Sequence, residues 1–220
     1  MIPEVRIQQV AARTIEVRFE RRIDPSVHDQ VLRCSAALSA ASLEGIDSVF
    51  ITYHSVGVHL SEKAPASVLT RLTQWVDEWS DQSERSDLKA GSLKPVLHHI
   101  PVRFGGEDGP DLAELAAFAQ ISESEVVRMF CEPEYRVYMT GFIGGFPYLG
   151  VVPPVIRMPR RNQPRKRVAP GSVAIAAYQA GIYPVETPGG WNLIGRTVVD
   201  IPSLQLQPGE SVRFVEAHRD

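Results

Sequence analysis

Apolar residues alternate with polar ones over residues 14–20, TIEVRFE, with Ile15, Val17 and Phe19 on one side. That period of two predicts a half-buried strand. Residues 4–10 are expected to pair with it, with Ala11–Arg13 as the turn. Asp24 is a good N-cap and Pro25 suits a first helical position, so a helix is expected to start there. Val27, Val31, Leu32, Cys34 and Leu38 follow at helical spacing, and Gly45 is expected to stop the helix. Residues 47–53 and 55–61 are read as two strands, the second carrying Val56, Val58 and Leu60 in alternation. After Pro65 the apolar positions Val68, Leu69, Leu72, Trp75, Val76 and Trp79 fall on one helical face. The order ββαββα predicts a small two-layer α/β domain.

Residues 80–95, SDQSERSDLKAGSLKP, are polar and contain Gly and Pro, which marks a linker. A domain boundary near residue 93 follows, giving 1–92 and 93–220. In the second part a strand is expected from about Val96 to Phe104 and a short helix from about Asp111 to Ala119. Ser122 and Glu125 form a capping box for another helix, with Val126, Val127 and Phe130 inward. From residue 135 onward Gly and Pro recur and helical periodicity disappears. Runs at 136–139, 172–176, 197–201 and 211–215 lie between turn signals and predict a closed or nearly closed β-barrel. The fold class is α+β.

Composition narrows the function classes. The chain has 220 residues and a net charge of −3, so nothing global steers it toward nucleic acid. Arg outnumbers Lys by 19 to 4, which fits codon bias better than a demand for bidentate donors. Cys34 and Cys131 make neither a disulfide framework nor a metal cluster, and they suit a reducing compartment. The first residues, MIPEVRIQQV, lack the apolar core of a secretory signal, and no run of about 18 apolar residues exists to span a membrane. A cytoplasmic protein is expected.

Three segments stand out chemically. In Gly105-Gly106-Glu107-Asp108-Gly109-Pro110-Asp111, glycine-rich backbone precedes a helix N-terminus, an arrangement that suits an anion. Asp111 is the natural N-cap of that helix, and Glu107 and Asp108 are carboxylates without an evident partner ligand. Residues 141–150, GFIGGFPYLG, hold four glycines and three aromatics in ten positions. They read equally as the wall of a pocket for a flat ligand or as a tight barrel corner. Residues 179–197 bring Gln179, Tyr183 and Trp191, polar handles on apolar bodies, and Arg196, a possible clamp for a carboxylate or phosphate. Between the last two lie residues 157–167, with six positive charges in eleven residues. A solvated loop, an anion site and a nucleic-acid patch all stay open for that run, the last disfavoured by the lack of interleaved aromatics. His98 and His99 are adjacent, so in a strand they face opposite sides and cannot share one metal. His54 and His59 lack a third ligand, and no hydrolase motif is present.

The runs GGEDGPDL, EYRVYMTGFIGGFPYLG and PGSVAIAAYQAGIYPVETPGGWNLIGRT resemble the KipI family, the B subunits of bacterial ATP-dependent 5-oxoprolinase, also labelled allophanate hydrolase subunit 1. The resemblance implies a cyclophilin-like barrel after a small α/β domain. It implies work with a second cyclophilin-like chain, the C subunit, and with a separate A subunit. Together these open the lactam of 5-oxoproline with ATP and Mg to give glutamate, with little activity expected of this chain alone. Another family member inhibits a sensor histidine kinase, so an antikinase-type binding protein is the alternative. On the enzyme reading, Gln179, Tyr183 and Arg196 are the candidate catalytic residues. Glu107, Gly145, Phe146, Tyr148, Arg160, Arg165 and Trp191 are candidates for substrate or nucleotide binding. No metal ligands, nucleic acid or membrane are expected. The chain departs from the family's usual pattern at Gly144 (a proline), at Arg103 and Phe104 (Cys-Tyr), at Phe130 (a His), at Ala180 (a Thr) and at Ala169-Pro170 (Pro-Ala).

Overall fold

The structure, a computed structural model, describes residues 5–85 and 96–217, with side chains through residue 81 in the first stretch. The chain divides into two compact units, Met1–Lys94 and Pro95–Asp220.

In the first unit, β1 (Arg6–Ala11), β2 (Thr14–Arg18), β3 (Ile46–Ile51) and β4 (Ser55–Leu60) form an antiparallel sheet in the order β1-β2-β4-β3. Ile15 pairs with Val58 and Val17 with Val56, so alternation puts both pairs on one face. That face meets α1 (Pro25–Ala41) and α2 (Val68–Arg85) in one core with Val31, Cys34, Leu72 and Val76. Asp24 caps α1 as expected, its Oδ1 accepting from Ser26 N at 2.8 Å. The helix ends at Ser42, which itself takes the left-handed conformation (φ 47°). Gly45 therefore does not stop the helix. It turns the chain into β3 at φ 90°, where a Cβ would stand 2.8 Å from Pro65. Leu69, expected on the buried face of α2, is exposed. Trp75 and Trp79 stack at 6.2 Å, and Trp79 meets Phe19 edge-on. Residues 80–85, expected to open the linker, continue α2. The rest of the expected linker, 86–95, lies outside the described residues.

The second unit is built on β5 (Leu97–Phe104), β6 (Tyr135–Gly141), β7 (Phe146–Gly150), β9 (Ser172–Ala176), β10 (Gln179–Ile182), β12 (Asn192–Arg196) and β13 (Ser211–Glu216). They form a closed barrel in the order β10-β7-β6-β13-β5-β12-β9, returning to β10. Among the described strands only β13 and β5 pair in parallel. A two-stranded sheet of β8 (Arg165–Val168) and β11 (Thr187–Gly189) lies outside that order. α3 (Leu112–Ala119) and α4 (Glu123–Cys131) join the barrel core, where Phe130 stacks on Phe214 at 4.7 Å. Ser122 caps α4 by accepting from Glu125 N at 3.2 Å. The Glu125 carboxylate turns to Arg128 rather than back to the cap. Of residues 197–201, expected as a strand, 197–200 form a loop and Ile201 opens the short helix α5 (Ile201–Leu204). The strand in this region is β12, just before them.

Candidate functional site: an aromatic cavity edged by Arg160

The glycine-rich run 141–150 becomes the β6–β7 hairpin. Its tip carries three left-handed residues, Phe142 (φ 62°), Gly144 (φ 54°) and Gly145 (φ 80°). β10 pairs with β7 so that Gly181 lies beside Tyr148. A Cβ on Gly181 would stand 2.4 Å from the Phe146 ring, so only glycine lets that ring lie across β10. Phe146 is then the hub of an aromatic cluster. Its centroid is 4.9 Å from Tyr148, 5.1 Å from Tyr183 and 5.2 Å from Trp191, each pair edge-to-face. Such edge-to-face pairs add stability beyond the area they bury and hold the rings in register. The rings wall a cavity of about 290 Å³, closed by Phe142, Arg160, Pro164 and residues 188–190.

Arg160 reaches this cavity because its neighbours are pinned. Asp111 is 3% exposed, and its Oδ1 accepts from Arg161 at 2.8 Å and from Arg165 at 2.7 Å. Its Oδ2 accepts from Leu193 N at 2.7 Å, and its own N–H donates to Leu193 O at 2.9 Å. The expected N-cap role is therefore corrected: the carboxylate makes no cap hydrogen bond, because two guanidinium groups and a β12 amide occupy it. Arg161 N also donates to Gly190 O at 2.8 Å, tying the segment to the cavity wall. Arg157 lies over the Tyr178 ring at 4.8 Å, and Arg167 stands 3.8 Å from Glu186. Arg160 has no ion-pair partner among the described residues. Arg157, Arg161 and Arg165 thus tie the run to other segments, Lys166 and Arg167 are exposed, and the Arg160 guanidinium is left at the cavity.

The structure brings Phe146, Tyr148, Arg160, Tyr183 and Trp191 together. It does not bring the other candidates there. Arg165 is committed to Asp111. Gln179 starts β10, paired with Gly150, at the end of the strand away from Tyr183. Arg196 donates to Pro170 O at 3.1 Å, Glu107 is exposed on its loop, and Gly145 sits at the hairpin tip without lining the wall. Phe142, Pro164 and residues 188–190 line the cavity without being candidates from the sequence. Their proximity is set by strand pairing, and no local pattern carries it.

Burial pushes the Tyr183 phenol up, partly offset by the Trp191 backbone N–H that it accepts. Burial raises Tyr148 as well. Both phenols stay protonated at neutral pH and act as hydrogen-bonding groups, not bases. Tyr183 thereby positions Trp191. Among the described residues no His, Cys, Asp or Glu lines the cavity. Burial also pushes the Cys34 thiol up to about 12 and Cys131 to about 11, which makes them poor nucleophiles. The arrangement can hold a small flat ligand on its rings and an anionic group on Arg160.

Residues 5–208 match the family described as carboxyltransferase domain, subdomain C and D. The chain belongs to this family. It is 41% identical over 157 residues to a protein of Escherichia coli O157:H7 named as the B subunit of 5-oxoprolinase, covering 69% of this chain and 70% of that one. A protein of the same name from Bacillus subtilis (strain 168) is 32% identical over 237 aligned positions, covering 98% and 94%. Among solved structures, TTHA0988 matches with a TM-score of 0.78 at 32% identity, covering 94% of this chain and 40% of that one. This chain therefore spans about two-fifths of that longer chain. Three departures from the family pattern lie away from the cavity wall. Phe130 and Ala180 are fully buried in the barrel core, and Gly144 is at the hairpin tip.

Proposed function

We propose that this chain is the B subunit of an ATP-dependent 5-oxoprolinase, acting in the cytoplasm with the A and C subunits of that enzyme. The aromatic cavity is its substrate-facing site. The observation that carries this reading is Arg160, a guanidinium without an ion-pair partner among the described residues, at the edge of a cavity walled by Phe146, Tyr148, Tyr183 and Trp191. 5-Oxoproline is a small flat lactam with one carboxylate. Its ring suits the aromatic faces and its carboxylate suits a guanidinium fork. An amide is a poor electrophile, so opening it calls for ATP: phosphorylation of the lactam oxygen turns that oxygen into a leaving group. Transfer of the phosphoryl group releases ADP, one water adds to the activated carbon, the C–N bond breaks with the ring nitrogen leaving as the amine, and a second water displaces phosphate from the resulting acyl phosphate to give glutamate.

Among the described residues no nucleophile with an adjacent base lines the cavity, so the chain supplies binding and orientation, and its partners supply the rest. Mg enters with the nucleotide, whose phosphates it coordinates. The test is ATP-dependent glutamate release from 5-oxoproline by this chain with its own A and C partner chains, and again with this chain omitted. Release in the full mixture alone supports the reading. Equal release without this chain overturns it. Arg160→Ala is expected to raise KM for 5-oxoproline by about 10–100-fold, the loss of one charge-assisted hydrogen-bonded contact, with a smaller change in kcat.

A further inference from the structure

The tip of the β6–β7 hairpin turns two large apolar side chains to solvent beside the aromatic cavity. Phe142 is 70% exposed and Ile143 38%. Phe142 also holds φ 62°, a left-handed conformation that penalises any residue with a Cβ. Internal packing does little to offset that strain, because solvent surrounds most of the ring and its contact with Phe146 is a long edge-to-face one, at 6.4 Å. The tip is nonetheless braced. Ile143 N donates to Gly141 O at 2.8 Å, and Phe146 N to Ile143 O at 3.0 Å. Gly144 lies so close to Val185 and Pro184 that a Cβ there would stand 3.3 Å and 3.4 Å from them. A braced aromatic that faces solvent is a preformed knob, which loses little freedom on entering another surface. A lid that swings over the cavity would need an unbraced tip.

Charge narrows what that other surface carries. Lys166 and Arg167 are exposed on β8, and Arg167 stands 3.8 Å from Glu186, the residue after Val185. Two basic side chains against one acidic one leave this flank positive, and Arg160 adds to it. Carboxylates on a facing surface complement such a flank. Among the described residues no His, Cys, Asp or Glu lines the cavity, so acid–base groups for chemistry there come from another chain, across the rim where Phe142 stands.

We propose that Phe142 and Ile143 anchor a partner protein chain over the mouth of the aromatic cavity. That chain presents an apolar pocket to the Phe142 ring and carboxylates to Lys166 and Arg167, and it brings the acid–base groups. Its role in the chemistry rests on the subunit reading above; the docking surface does not.

The experiment is calorimetric titration of the full chain with the A and C partner chains in turn, without ATP or 5-oxoproline. One of them is expected to bind one to one, and Phe142→Asn with Ile143→Ser to weaken it about tenfold or more. Asparagine tolerates the left-handed turn, so the urea midpoint of that variant is expected to match the wild type. Lys166→Glu with Arg167→Glu weakens binding too, and more at low salt than at high salt. That charge reversal decides the matter if the tip variant proves unstable. Binding of neither chain, or unchanged affinity of a stable tip variant, overturns the proposal. So does charge reversal that leaves binding unchanged or strengthens it. Self-association of this chain that the tip variant abolishes overturns it as well, with a second copy as the occupant. No turnover enters the titration. Glutamate release that requires this chain, with normal binding by the tip variant, sinks the docking surface alone. Tip-dependent binding without glutamate release sinks the lactam reading and leaves the surface standing.

Discussion

Asp111 joins three segments through one carboxylate: the start of α3, the arginine run and β12. Removing one member of a buried ion pair strands the charge of the others and costs about 3–5 kcal/mol. Arg161 and Arg165 are about a third and a quarter exposed, which places Asp111→Ala near the lower end, about 3 kcal/mol. Chemical denaturation checks this, and Arg160→Ala, which breaks no such bond, is expected to change stability by less than about 0.5 kcal/mol. His54 makes a different residue-scale prediction. Burial lowers its pKa, with Arg18 and Arg21 pushing the same way and Glu16 opposing them. The unfolded chain therefore takes up a proton first as pH falls. Stability is intact above the ordinary histidine range and declines as pH drops through it toward the folded value. The urea midpoint reported by Trp75 and Trp79 fluorescence is expected to fall between about pH 7.5 and about pH 5.5, and His54→Gln is expected to flatten that slope. At this scale the sequence predicts which residue types carry polarity, and leaves some partners unassigned. Asp111 has the spacing of a helix cap, and nothing local says that two guanidinium groups from residues 161 and 165 reach it first.

The elements themselves follow closely from their patterns where one face is wet. β2, β4, α1 and α4 stand where alternation, Asp24 and Ser122 predict them. β12 escapes because Leu193, Ile194 and Gly195 are all buried, so no period of two survives in its sequence. The end of α1 departs from the glycine rule because Ser42 adopts the left-handed turn instead. Gly181 shows how element pairing sets the site. Alanine there must displace Phe146, since its Cβ falls inside contact distance of the ring. Gly181→Ala is expected to cost about 1–3 kcal/mol by overpacking and to perturb the Trp191 environment. Near-ultraviolet circular dichroism against the wild type checks the second point. An unchanged aromatic spectrum would mean that the ring is not held across β10.

At the scale of the whole molecule, the barrel closes through β13, which sits between β6 and β5 and contributes Val212 and Phe214 to the core. Deleting residues 211–220 leaves two unpaired edges facing a gap and uncovers Phe130. That truncation is expected to lose cooperative unfolding and to aggregate, as exposed edges do, measured by denaturation and by the soluble fraction on expression. The same closure makes the site. Residues 142, 146, 148, 160, 183 and 188–191 are distant in the chain and meet because β7 pairs with β10 while β8 pairs with β11.

Local pattern was enough to establish the α+β class, the ββαββα order of the first unit, the barrel that follows, and the aromatic and arginine residues from which a site could be made. Those properties depend on neighbours within a few positions, where period, caps and turn residues act. Three-dimensional packing was needed to settle which arginine stays at the cavity and which are tied to Asp111. It also separated Gln179 and Arg196 from the rings. Those outcomes depend on pairings across tens of residues, where burial and charge compensation, not local pattern, select the partner.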